Sequence, residues 1–224
     1  MKCRNAFANP ATRALLLCSL AWHVPFAHSA EAVALQRFAQ ARSAFESGRN
    51  GNSGAVELAQ EKFRQLLSEE PANPLYLAYF GSTYALQARA VSMPWTRIRL
   101  VNRSVELLDQ ALNLLHTSDA AQRTADPAAP LEARLVTIAT FIALPDALFH
   151  RMAAAKRTLN EALSSPNFSQ ATADLRGHLI YEGALIAREE RDTAAERSAL
   201  NQVIALAPPS IDAAELRERL AQLR

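Results

Sequence analysis

The sequence predicts an all-α fold built from consecutive helix–turn–helix pairs, and three observations carry that prediction. Apolar residues recur at spacings of three and four from Leu35 to Leu223, the period of one face of a helix. Only 6 of the 224 residues are glycine, too few for a turn-dense all-β sandwich or a glycine-lined phosphate site. Half of the chain is apolar and 21% is charged, a balance that buries a core rather than leaving the chain disordered.

The first residues read as an address. Lys2, Arg4 and Arg13 form a positive leader, and Ala14 to Ala27 is an apolar stretch broken by His23 and Pro25. Ala27-His28-Ser29 puts small residues at both positions that a signal peptidase reads, which predicts a signal peptide over 1–29 cleaved after Ser29. The apolar run falls short of the ~20 residues of a spanning helix, so no stable membrane insertion is expected after cleavage. Leu17 stands where a lipoprotein signal at Cys18 would need a small residue. Cleavage removes three basic residues and no acid, taking the net charge from +2 to −1, and removes both cysteines, Cys3 and Cys18. A cysteine-free exported chain avoids stray disulfides and excludes zinc ribbons, thiol nucleophiles and iron–sulfur ligation. Its near-neutral balance gives no electrostatic case for nucleic acid. Arg outnumbers Lys by 19 to 2 in residues 30–224, a composition of GC-rich bacteria; with the signal peptide it points to the periplasm.

Nine helices are expected after the leader. Leu35, Phe38, Ala41 and Phe45 mark the first, which stops before a loop at Arg49–Ser53, where Ser53 is the expected N-cap. Val56, Ala59, Phe63, Leu66 and Leu67 mark the second, ended by Pro71. Asn73-Pro74 supplies a cap and a first-turn proline for the third, which carries Leu77, Phe80, Gly81 and Tyr84. After a break at Ser92-Met93-Pro94, the fourth has the clearest stripe: Ile98, Val101, Val105, Leu108, Leu112 and Leu115. Asp126-Pro127 and Pro130 punctuate a polar, Ala-rich flexible linker over 117–130. Leu131 to Leu144 is apolar on more than one face and reads as a buried fifth helix. Pro145-Asp146 turns the chain into a sixth, carrying Leu148, Met152, Ala155, Leu159 and Ala162 and ending near Pro166. The seventh runs from about Ser169 to Ala187, and the eighth from Thr193 to Leu206, closed by Pro208-Pro209. Ser210 is the expected cap of a ninth with Leu216, Leu220 and Leu223 on one face.

Leu77, Phe80, Gly81 and Tyr84, with Ala59, Phe63 and Pro71 before them, resemble the tetratricopeptide repeat, a helix–turn–helix unit of ~34 residues. Ala155, Leu159, Ala162 and Pro166 match its second helix again. Leu179 and Gly183 match its first, followed by Ala195, Ala199 and Pro208. Gly and Ala let two helices approach, and large residues fill the gaps of the next hairpin. No hairpin buries both faces alone, so neighbours stack. The resemblance covers 31–224 in degenerate form. The second unit carries an insertion at Ala88–Trp95 and closes on His116 instead of proline, and the third lacks the glycine of its first helix. It implies a right-handed α-solenoid of about four helical hairpins plus a C-terminal capping helix.

Candidate functional residues fall in two places. No acid lies between Glu70 and Glu106, while Arg89, Arg97, Arg99 and Arg103 surround Met93-Pro94-Trp95. Arginine with an aromatic is the composition of interface anchors. Arg97 and Arg99 stand about 200° apart on a helix and cannot share a face. Two readings are open: a basic, aromatic-tipped edge for an acidic partner, or a turn plugged by Trp95 with solvated arginines. On the third helix, Tyr76 and Tyr79 lie off the face of Leu77, Phe80 and Tyr84, and either point into a groove or pack on the first hairpin. His116, His150 and His178 are far apart in sequence with no paired spacing, and read as helix-end or surface groups. No nucleophile elbow, phosphate loop or His-Glu-x-x-His occurs. The expected function is therefore a non-catalytic scaffold of the bacterial envelope, with no cofactor and no metal. It would bind a protein or peptide on the concave face of the repeat array. The alternative is a structural or accessory subunit of an envelope transport or assembly complex.

Overall fold

The computed structural model describes residues 26–116 and 126–223, with side chains from Ala32 onward. The leader predicted over 1–29 lies outside the described residues as far as Pro25, as does most of the expected linker, residues 117–125. Contacts divide the chain after Gln36. The described part of the first unit is the start of one helix, and the second unit, Arg37–Arg224, holds every other element.

Every element among the described residues is helical: α1 (Phe26–Arg49), α2 (Ser53–Glu69), α3 (Pro74–Ala90), α4 (Pro94–His116), α5 (Ala129–Ile142), the single turn α6 (Asp146–Phe149), α7 (Met152–Ser164), α8 (Ala173–Glu189), α9 (Thr193–Leu206) and α10 (Ala213–Gln222). A 3₁₀ turn at Phe168–Gln170 precedes α8. The all-α class read from the sequence is the class observed, and none of these helices is long and apolar enough to cross a membrane.

Short polar side chains start the helices. Asn73 Oδ1 accepts from the amides of Leu75 and Tyr76, with Pro74 in the first turn where its missing N–H costs nothing. Asp192 and Asp212 cap α9 and α10 in the same way. Two expected caps move. Asn52, not Ser53, caps α2 by accepting from Ala55 N, and Asp212, not Ser210, caps α10. The expected sixth helix is broken into α6 and α7, because His150 sits in the left-handed region at φ 52°. Asp146 Oδ1 accepts from Met152 N across that break.

The insertion expected at Ala88–Trp95 is not a loop. α3 continues through Ala85-Leu86-Gln87-Ala88-Arg89-Ala90, all sound helix formers, and α4 begins at Pro94, leaving only Val91–Met93 between them. The extra residues lengthen the two helices.

α3 packs on α2, α4 and α5, and α5 in turn on α4, α7 and α8. Small residues set these spacings. A Cβ on Gly81 would come within 3.0 Å of Leu107 Cβ on α4, and one on Gly183 within 3.3 Å of Leu159 on α7. One large core runs from Ala41 on α1 to Ile186 on α8, with Phe63, Leu108, Leu131, Ile138, Phe141 and Leu179 fully buried. A second, smaller core of Ala184, Leu200, Val203 and Leu216 joins α8, α9 and α10. Glu196 lies beside it on α9, its side chain only 2% exposed, and accepts from Nε of both Arg188 and Arg219 at 2.8 Å. These bonds hold its carboxyl below the usual carboxylate range.

Candidate functional site

An open cavity of about 970 Å³ lies between α1, α3, α5 and α8, closed at its sides by the start of α4, by α6 and by Ser210. Its walls are mostly apolar, with Leu86, Val101, Leu135, Val136, Leu144 and Phe149 among them. Helical period explains the lining: Arg42, Phe45, Glu46 and Arg49 recur at three and four on α1, and His178 and Glu182 are one turn apart on α8.

The polar groups form three clusters. In the first, Tyr79 Oη donates to Glu132 Oε1 at 2.6 Å, and Arg42 approaches the same oxygen at 3.4 Å. Burial, followed by the adjacent Glu132 charge, pushes the Tyr79 phenol far above its ordinary range, so it stays a donor. In the second, the Ser82 and Thr140 hydroxyls share a hydrogen bond of 2.7 Å between α3 and α5, and each also lies within hydrogen-bond distance of a carbonyl one turn back in its own helix. In the third, Ser210 donates to Asp174 through both its amide and its hydroxyl, and His178 Nε2 lies 2.7 Å from the Ser210 hydroxyl. Because that hydroxyl proton is directed at Asp174, His178 is the donor to Ser210, the reverse of a base poised to activate a serine. Burial lowers the His178 pKa, with Arg49 adding to the effect and Asp174 opposing it. The trio pins the segment after α9 onto α8.

Glu182 belongs to none of these clusters. It is 8% exposed, lines the cavity, and has no hydrogen bond or ion pair among the described residues. Burial raises its pKa to about 7, partly offset by the charge of Arg49. Arg49 itself pairs with Glu46 at 2.9 Å. At neutral pH Glu182 is therefore divided between an acid that can donate and a carboxylate that lacks a counter-ion.

The residues singled out from the sequence are not brought together. Tyr79 and Arg97 line the cavity. Tyr79 is 3% exposed and stacks on Phe63 at 4.9 Å, with Phe45 at 5.0 Å, so it packs on the first hairpin and reaches the cavity as well. Tyr76 is half-buried against Phe38. Trp95 is 66% exposed and plugs no turn. Arg97 donates to the Val91 carbonyl at 2.7 Å, capping the end of α3. Arg99 is exposed, and Arg103 pairs with Glu106 at 3.2 Å one turn along α4. Of the histidines, His116 and His150 are at helix ends, but His178 is in mid-helix facing the cavity. No three His, Cys, Asp or Glu side chains among the described residues are grouped to hold a metal.

Sequence reasoning passes over Glu182 because it looks like part of a solvated face. One signal is present: it precedes Gly183 as Phe80 precedes Gly81, so it occupies a position where the matching helix carries a large apolar side chain.

No family model, curated protein or solved structure matches the chain.

Proposed function

We propose that this chain is a non-catalytic scaffold of the bacterial envelope that binds a peptide segment or an extended part of another envelope protein. The carrying observation is the cavity, lined by the first helix of each of four successive pairs: α1–α2, α3–α4, α5–α7 and α8–α9. We read these pairs, with α10 as a cap, as a right-handed solenoid of degenerate tetratricopeptide units whose concave side is that cavity. The close approaches at Gly81 and Gly183 support the reading, since a small residue at Gly81 lets α3 meet its paired helix α4, and one at Gly183 lets α8 meet α7 of the preceding pair. A cavity of this size with apolar walls and a few fixed polar groups suits side chains of an extended segment. Export to the periplasm, with a cleaved leader, is part of the same proposal and rests on residues 1–29.

The test fills the cavity. Ala139 lines it from α5 and is only partly buried, so Ala139→Trp projects an indole into the space without displacing the core. Partners recovered with the wild-type chain from the native envelope, identified by mass spectrometry, are expected to be lost from the variant while its far-UV circular dichroism is unchanged. Undiminished recovery overturns the cavity as the binding face.

The reading as an accessory subunit of a larger complex has an observation of its own. Met93, Trp95 and Ile98 are 52%, 66% and 49% exposed around the start of α4. Loss of the same partners in Trp95→Ala combined with Arg97→Glu, but not in Ala139→Trp, would favour it.

A further inference from the structure

We infer that Glu182 is the specificity residue of the cavity, and that the segment bound there presents a basic side chain, lysine or arginine, whose cation docks on the Glu182 carboxylate. This rests on the reading of the cavity as a peptide site.

The other acids on the cavity wall already have partners. Glu132 is taken by Tyr79 and Arg42, Glu46 by Arg49, and Asp174 by Ser210. Arg97 is spent on the Val91 carbonyl. On the other helices packed on α8, Lys156 of α7 pairs with Glu190, Glu161 of α7 stands 3.8 Å from Arg134, Glu196 of α9 takes Arg188 and Arg219, and Arg157 of α7 is exposed. Glu182 alone among the acids of the cavity is more than nine-tenths buried, faces the space and has no partner among the described residues.

The side chain is largely buried but its carboxyl opens onto the cavity, so it is poorly solvated yet within reach of a ligand that supplies the partner. Of the groups a peptide can offer, a cation gains most: it forms a charge-assisted hydrogen bond and removes the unpaired charge in one step. Glu182 has further reason to wait for one. Arg49 is close enough to influence it, but its ion pair is made with Glu46 and not with Glu182. Walls such as Leu86, Val136 and Phe149 then take the aliphatic stem of the side chain and its apolar neighbours. Since the cation requires the ionised carboxyl, binding releases a proton wherever Glu182 is still protonated, and affinity rises with pH through that range.

The probe is a set of fluorescent hexapeptides, acetylated and amidated, with a Leu/Ala background and one central Lys, Arg, Glu or norleucine. Binding to the full chain is followed by polarisation at pH 5 and pH 8. The Lys and Arg peptides are expected to bind at least about tenfold more tightly than norleucine at pH 8, with a smaller preference at pH 5. Glu182→Gln keeps the shape and removes the charge. It is expected to show no Lys or Arg preference over norleucine at either pH. If peptides bind without a preference for the cation, or if Glu182→Gln keeps that preference, the inference fails while the cavity reading stands. If no peptide in the set or in a random displayed library binds, the cavity reading falls and the inference with it.

Discussion

Burying a carboxyl group without a partner costs stability, and the cost depends on pH. The Glu182 pKa is raised from 4.5 to about 7 in the folded chain. The Glu182 contribution to stability is therefore fully present below pH 4.5 and is lost as pH rises through about 7. The loss above that range is about 3 kcal/mol at most. Glu182→Gln should thus melt at a higher temperature than the parent at pH 8, and the gap should close by pH 4; equal melting temperatures at both would count against the buried environment of the side chain. Gly177 makes a different residue-scale demand. A Cβ there would lie 2.7 Å from Cγ of Pro208, a ring that cannot rotate aside. Gly177→Ala gains about 1 kcal/mol of helix propensity but is expected to lose about 1–3 kcal/mol through overpacking, lowering the urea midpoint. The sequence marks Pro208 as a helix stop and Gly177 as nothing in particular, because their meeting depends on how the segment after α9 folds back onto α8. Glu182 is hidden for the same reason: one carboxyl on an amphipathic helix looks solvated until the neighbouring helices are in place.

At the scale of elements, periodicity and capping chemistry carry far. α9 runs Thr193–Leu206, the range expected from its spacing and from Pro208-Pro209. The α4 stripe is real in its middle, where Val101, Val105 and Leu108 are buried, and fails at Ile98, which is 49% exposed and lines the open cavity. The break between α6 and α7 is not legible, since a left-handed His150 has no glycine to announce it. The joint of α8, α9 and α10 is not legible either. There a single carboxylate, Glu196, holds one arginine from each neighbouring helix. Ion pairs in the sequence suggest solvated surface, and only the fold shows this one to be buried. Because the Glu196 pKa is lowered in the folded chain, its stabilisation is present above the ordinary carboxylate range and is lost as pH falls through the folded value. Glu196→Ala is expected to cost about 1–3 kcal/mol at pH 7, since Arg188 and Arg219 keep partial access to water, and to cost less at pH 3. Chemical denaturation at the two pH values measures the difference.

For the molecule as a whole, the distribution of the core decides where it opens first. The main core ties α2, α3, α4, α5 and α7 to the Arg37–Arg49 part of α1, with α5 contacting four other helices. The smaller core beyond it has four buried residues, and α10 contributes one of them, Leu216. Each helix near that end leans mainly on its predecessor: α9 on α8, and α10 on α9. In such an arrangement the free energy of local opening falls toward the element with the fewest buried neighbours, so protection against amide exchange is graded along the chain rather than uniform. Amides in α3 and α5 are expected to exchange only on global unfolding. Those in α10 exchange fastest among the long helices, and those in α9 stand between. Glu196→Ala sharpens the gradient, because it releases the clamp while leaving the main core untouched: exchange in α9 and α10 should speed up while α3 and α5 change little. Hydrogen exchange followed by mass spectrometry reads this directly, and an equal acceleration in all four helices would mean that the two cores unfold as one unit.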